Sequence, residues 1–177
     1  MSDFLDLCRR RQSCRDYADR PVEREKLINC IEAARMAPSG CNSQPWSFVV
    51  VDNPQLVPEV AKSTQHFGLN EYFEKASAFI VVLEEHAVLI KRIRAFIDSQ
   101  YFARHDLGCA TMSICLAAEA QGLGTCIIGV FDRERLCELL GLPREQRFAC
   151  VIAVGYPAND TVRPKVRKSM EEIAKFI

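Results

Sequence analysis

No apolar run in the 177 residues reaches the length of a membrane span. The longest runs, such as 79–83, suit strands. Neither sign of charge is in excess, with 23 Lys and Arg against 23 Asp and Glu. That balance gives no electrostatic footprint for nucleic acid or for an anionic membrane. The first eleven residues place acids ahead of Arg9, Arg10 and Arg11 and carry no apolar core. No signal peptide is expected, and the default location is cytoplasmic. Internal repeats and low-complexity tracts are missing too. The nine cysteines, at 8, 14, 30, 41, 109, 115, 126, 137 and 150, are odd in number and never spaced C-x-x-C. This argues against a disulfide framework, a zinc site or an iron–sulfur cluster and for free thiols in a reducing compartment. His66, His86 and His105 are scattered, no triad or paired-carboxylate motif is visible, and no metal site is expected. Cys41 has no His near it in sequence to activate it as a nucleophile.

What remains is a globular composition, 49% hydrophobic and 26% charged, of a length that suits one domain spanning 1–177. Residues 2–11 read as a short helix capped by Ser2 or Asp3, with Phe4, Leu7 and Cys8 on one face. A core helix is predicted over 24–36 from the spacing of Leu27, Ile28, Ile31, Ala34 and Arg35. The run 46–51 predicts a strand buried on both faces. Asn53-Pro54 predicts a helix start, with the helix running to about Thr64. A loop at 65–75 and a second strand at 78–83 follow. Helical pattern is expected over 84–101 and again over 104–121, where small residues suit a central buried helix ending at Gly122. Strands at 125–128 and 148–154 flank a helix capped by Asp132 and closed by Gly141. Strands alternating with helices give a mixed α and β class. The apolar end of the 158–177 tail wants a surface to cover.

Two stretches are rich in groups that hold ligands. Residues 37–48 contain the only Trp, Trp46, in a loop bracketed by Pro38 and Pro45 that cannot be helical. Its Ser39, Gly40, Asn42, Ser43 and Gln44 are turn formers, and equally a cradle for a flat, polar-edged ligand. Arg11-Gln12-Ser13-Cys14-Arg15-Asp16-Tyr17 reads as a solvated basic helix end or as an anion grip built from Arg forks. Gly122-Leu-Gly124 is no dinucleotide fingerprint, because it follows a helix and opens a strand.

Taken in order, these stretches resemble the FMN-dependent nitroreductase family over nearly the whole chain. The Arg11–Tyr17 motif, the 37–48 loop, the run from Asp106 to Gly129 and the basic pair Lys165-Val166-Arg167 after Gly155 carry the resemblance. It implies an α+β fold, a three-layer α/β/α sandwich around a mixed, mostly antiparallel sheet, in an intertwined homodimer whose arm 158–177 packs on the partner subunit. It implies two FMN sites at the interface. Arg11, Lys165 and Arg167 would hold the phosphate. Gln12, Ser13 and Arg15 would line the ribityl chain and pyrimidine edge, with Asn70 on that edge. Ile128 and Gly129 would lie along the ring, and Pro38, Ser39, Gly40 and Asn42 would come from the other subunit. The implied activity is a ping-pong transfer from NADH or NADPH through FMN to nitroaromatics, quinones or related small acceptors, with no catalytic residue of the protein's own. A non-catalytic flavin store or sensor is an alternative. So is a specialised reaction on the same fold, such as dehalogenation, flavin fragmentation or enoyl reduction, although the shortness of the chain argues against the longer lids of specialised members.

Overall fold

The computed structural model describes residues 3–65 and 68–177. In chain order the elements are α1 (Asp3–Arg10), α2 (Arg24–Arg35), β1 (Trp46–Val51), α3 (Val57–Thr64), β2 (Ala78–Glu84), α4 (Lys91–Arg94), α5 (Ser99–Ala120), β3 (Gly124–Ile128), α6 (Arg133–Leu140), β4 (Arg147–Gly155) and α7 (Met170–Ile173). The strands form one sheet in the order β1-β2-β4-β3, and all three pairings are antiparallel. The parallel element is an isolated bridge between Ser13 and Thr125.

Period-two alternation explains the layers. On one face Ala78, Ile80 and Val82 of β2 and Cys150, Ile152 and Val154 of β4 pack with Leu27, Cys30 and Ala34 of α2 and Leu107, Ala110 and Ile114 of α5. On the other, Phe79, Val81, Leu83, Val151 and Ala153 pack with Val57, Val60 and Ala61 of α3, Leu136 of α6 and Tyr17. Both faces of β2 and most of β4 are therefore buried, which is why these strands read as unbroken apolar runs. The α/β/α sandwich expected from the sequence is present.

Boundaries at α2, β1, β3 and α6 fall where the pattern placed them, to within a residue. Asp132 caps α6 by accepting from the Arg135 N–H at 2.9 Å, and Gly141 closes it at φ 63°. Other expectations shift. The helix expected from 2 to 11 covers Asp3–Arg10, and a cap at Ser2 lies outside the described residues, as does His66. Strand β1 is only half-buried, because it is an edge strand paired solely with β2. The helix expected from Asn53 starts at Val57, because both Leu56 and Val57 donate to the Asn53 carbonyl and close a turn first.

The helix expected over 84–101 is replaced by the end of β2, an irregular stretch and the short α4. The Gln100 carboxamide accepts from the Ala87 N–H at 3.1 Å, and Ser43 Oγ accepts from the Val88 N–H at 2.6 Å. Ser43 thereby takes the Val88 N–H that a helix begun at Glu84 would have given to the Glu84 carbonyl, and Gln100 fixes Ala87 in the irregular stretch. Helix α5 then runs unbroken from Ser99, capped by Asp98.

Candidate functional site

The N-terminal segment after α1 lies against the sheet edge. Cys14 N–H donates to the Thr125 carbonyl at 2.8 Å, and Ala18 N–H donates to Tyr156 O at 2.8 Å. The approach requires glycine at two positions. A Cβ on Gly124 would lie 2.7 Å from Cys14 Cβ and Sγ, and one on Gly155 would lie 2.6 Å from Tyr17 Cδ1. The second glycine of the Gly122-Leu-Gly124 motif thus makes room for backbone, not for a phosphate.

The C-terminal tail returns to this segment. The Gln12 side chain donates to Thr161 O at 2.8 Å, and its oxygen accepts from both the backbone N–H and Nε of Arg163, each at 3.1 Å. Arg163 also donates to Ser13 O. The result is a cavity of about 350 Å³ lined by Arg11, Ser13, Arg15, Arg163, Lys165 and Arg167. Arg11 Nε and Lys165 Nζ are buried there without a hydrogen-bond partner. Burial, with Arg11 and Arg167 beside it, pulls the Lys165 pKa below its usual 10.5. Five cations converging on a cavity without an acidic side chain in its lining need an anion with several oxygens.

From this cluster a polar strip follows β3. Arg15 lies over the Tyr72 ring at 5.8 Å, and the Tyr72 hydroxyl donates to Asn70 Oδ1 at 3.3 Å. Asn70 Nδ2 donates to Thr64 O at 2.9 Å and to Val130 O at 3.3 Å, just beyond Gly129. The Asn70 amide is therefore engaged with its own chain, joining the turn at Asn70 to the ends of α3 and β3. The Ile128 side chain is only 3% exposed and belongs to the core, while space opens above Gly129. Only backbone at 128–129 is placed to meet a ligand.

The 37–48 loop lies elsewhere. Cys41, Asn42 and Gln44 all have positive φ, 54°, 52° and 49°. Such a run of non-glycine residues is held by specific bonds. Gly40 N–H donates to the buried Asp106 carboxylate at 3.0 Å, and Gln44 N–H donates to Ser39 Oγ at 3.0 Å. A Cβ on Gly40 would come within 3.2 Å of the Phe102 ring. Pro38 and Asn42 are exposed. This loop is fastened to α5 at Asp106, whereas the basic cluster adjoins the far end, where Arg10 pairs with Glu119 at 3.3 Å. Asp106 to Glu119 is about 20 Å of helix at roughly 1.5 Å per residue. Within one chain the structure brings Arg11, Gln12, Ser13, Arg15, Lys165 and Arg167 together and keeps Pro38, Ser39, Gly40 and Asn42 apart from them.

The nitroreductase family profile matches residues 8–156. The chain belongs to the nitroreductase family. The matched stretch includes Arg11 to Arg15, the 37–48 loop and β3, and it stops before Lys165 and Arg167. An Archaeoglobus fulgidus protein assigned as an NADH dehydrogenase/NAD(P)H nitroreductase is 31% identical over 164 residues, covering 90% of this chain and 88% of its own. The iodotyrosine deiodinase of Thermotoga neapolitana is 26% identical over 186 residues, covering 99% of this chain and 98% of its own. A Desulfovibrio desulfuricans protein assigned as a nitroreductase and solved in complex with FMN superposes with a TM-score of 0.77 at 27% identity, covering 98% of this chain and 96% of the other.

Membership in the nitroreductase family makes the protein an oxidoreductase of α+β fold. Among the described residues no helix is long and apolar enough to cross a membrane. Two residues of the site escaped sequence reasoning. Arg163 sits two positions before the expected basic pair and lines the same cavity. Asp106, which holds Gly40, stood in the sequence only as the start of the Asp106–Gly129 run, with no role of its own.

Proposed function

We propose that the protein is an NAD(P)H-dependent FMN oxidoreductase that passes electrons to nitroaromatics, quinones or related acceptors. One observation carries this reading. Arg11 Nε and Lys165 Nζ are buried without partners in a cavity that Arg15, Arg163 and Arg167 also line. A phosphate monoester at the end of a flexible chain satisfies such donors and accounts for the cost of crowding like charges. The polar strip from Ser13 through Arg15 toward Gly129 fits a ribityl chain and a flat polar ring beyond that phosphate. Held by Arg11, Lys165 and Arg167 at its phosphate, FMN would supply the redox-active ring for electron transfer between a nicotinamide and a small acceptor. Arg15 would favour the anionic reduced ring, and the open backbone at Gly129 would admit the ring edge.

The 37–48 loop completes the site from a second copy. Its separation from the cations within one chain supports this, as do the exposed Phe4 and Leu5 on α1 and Val166, Met170, Ile173, Phe176 and Ile177 on the tail. Apolar groups in that number call for a covering surface, and a homodimer with exchanged arms supplies one. An absorbance spectrum of the purified protein, followed by anaerobic titration with NADH and NADPH, tests the reading. A yellow protein bleached by either nicotinamide is expected. A colourless protein, or a yellow one that neither donor bleaches, sinks it.

A second reading has its own support. The Thermotoga neapolitana deiodinase is matched over 98% of its length. Shortness of this chain therefore does not separate a generic reductase from a dehalogenase. Halide release from a halogenated phenol by the reduced protein would favour the second reading over the first.

A further inference from the structure

A second cavity, of about 680 Å³, opens between α5 and the ends of β3 and β4 and shares no residue with the Arg11–Lys165 cavity. That size suits a small organic molecule. Leu107 and Met112 of α5, Ile127 of β3 and Phe148 of β4 form apolar walls. Arg104, Arg133 and Arg147 bring positive charge to the same lining. Its one acid, Glu84, is nearly buried and already engaged, accepting from the Gln100 amide at 2.6 Å and pairing with Arg147 at 3.0 Å. Arg133 lies over the Phe148 ring at 5.7 Å and donates to the Gln146 carbonyl at 3.1 Å. Arg104 makes no ion pair among the described residues. Three arginines against one carboxylate leave the cavity positive, with the Arg104 fork free to meet an anion.

Two further features belong to this cavity. Gly108 stands in the middle of α5, where glycine weakens a helix, and a Cβ there would meet nothing within 4 Å. Close packing within the chain does not call for glycine at 108, and its missing side chain leaves the cavity wall open. Ile127 is 45% exposed and lines the cavity, while Ile128 turns into the core on the opposite face. The cavity therefore begins one residue before the Ile128–Gly129 backbone to which the ring edge is assigned. We propose that it seats the electron acceptor and that this acceptor is an aromatic carboxylate. Its ring lies against Met112, Ile127 and Phe148, and its carboxylate takes the Arg104 fork. This rests on the FMN reading above. A nitro group held there gains two electrons and two protons and loses one water to become nitroso, with reduced FMN as the reductant.

Arg104→Glu and Gly108→Leu test it on the FMN-loaded protein, with 4-nitrobenzoate and the neutral 4-nitrobenzamide as probes. Calorimetry gives the affinity of each probe for the oxidised protein, and anaerobic mixing with the photoreduced protein gives the rate at which each is reduced. Arg104→Glu should lower the affinity for 4-nitrobenzoate about tenfold at low salt, and the benzoate-to-benzamide rate ratio with it, the difference shrinking as salt rises. Arg104→Lys, which keeps the charge and loses the fork, should lie between wild type and reversal. Gly108→Leu should weaken both probes alike, because it fills space without altering charge. A rate ratio that Arg104→Glu leaves unchanged overturns the proposal. So does Arg104→Glu slowing reduction by NADH while sparing that ratio, which would give the arginine to the donor. Dissociation of the assembly by Gly108→Leu, read by sedimentation velocity, would assign the groove to a second copy of the chain and likewise overturn it. Colourless protein defeats the FMN reading and this proposal together; yellow, bleachable protein with charge-blind acceptor rates defeats this proposal alone.

Discussion

Gln12 and Arg163 stand 151 residues apart in sequence, yet one Gln12 oxygen accepts from both the backbone N–H and Nε of Arg163. This pair fastens the C-terminal tail to the segment after α1 and sets Lys165 and Arg167 opposite Arg11. Gln12, expected to line the cofactor, lines the cationic cavity, and its carboxamide oxygen also holds the tail. Gln12→Ala should therefore weaken FMN binding about tenfold, the scale of a lost hydrogen bond to a charged group. Fluorescence titration with FMN checks it, and an unchanged dissociation constant would show that the tail is held by other contacts.

Arg11→Ala combined with Lys165→Ala should empty the site of FMN while leaving assembly intact. Arg11 Nε and Lys165 Nζ are both buried without a hydrogen-bond partner, so the unliganded fold gains no hydrogen bond from either. Absorbance at the flavin band and sedimentation velocity read the two outcomes separately. A fully loaded double variant would remove the phosphate assignment.

Lys165 gives the site a pH dependence whose sign differs with and without ligand. Burial and the neighbouring arginines depress its folded pKa below 10.5. Between the folded and unfolded values the unfolded chain binds more protons, so this group makes the empty protein more stable as pH rises through that window. A bound phosphate favours the charged amine and reverses the sign. FMN affinity should fall with rising alkalinity below the ordinary lysine range, and Lys165→Arg should abolish that fall. Affinity that is flat in both proteins would contradict the assignment.

Gly155→Ala should destabilise the fold by about 1–3 kcal/mol, because its Cβ would overlap the buried Tyr17 ring. Gly124→Ala presses on Cys14 instead and should also loosen Ser13 and Arg15, lowering FMN affinity. Denaturant titration with and without FMN distinguishes the two effects. Equal cofactor loss in both would mean that the segment moves as one body.

Removing residues 168–177 should weaken association, since Ile173, Phe176 and Ile177 lie exposed at the end of a polar arm. Sedimentation equilibrium measures the change. An unchanged dimer constant would argue against an exchanged arm.

Much of the architecture was legible locally. Periodicity, the Asp132 cap, Gly141 and the apolar runs at 46–51 and 79–83 act within a few residues, and they located α2, α6 and all four strands. The stretch 84–101 misled because Leu89, Ile93 and Phe96 mimic helical spacing, while the groups that break the helix, Ser43 and Gln100, act from outside its first turns. Residue order supplied the groups themselves: the Arg11–Arg15 donors, the turn-rich 37–48 loop and the Lys165–Arg167 pair. Tertiary structure alone decided how they group. The Gln12–Arg163 clamp gathers cations from both ends of the chain, whereas the length of α5 holds Gly40 about 20 Å from them. Convergence across 150 residues depends on packing around a shared rod and sheet, and no local pattern encodes that distance.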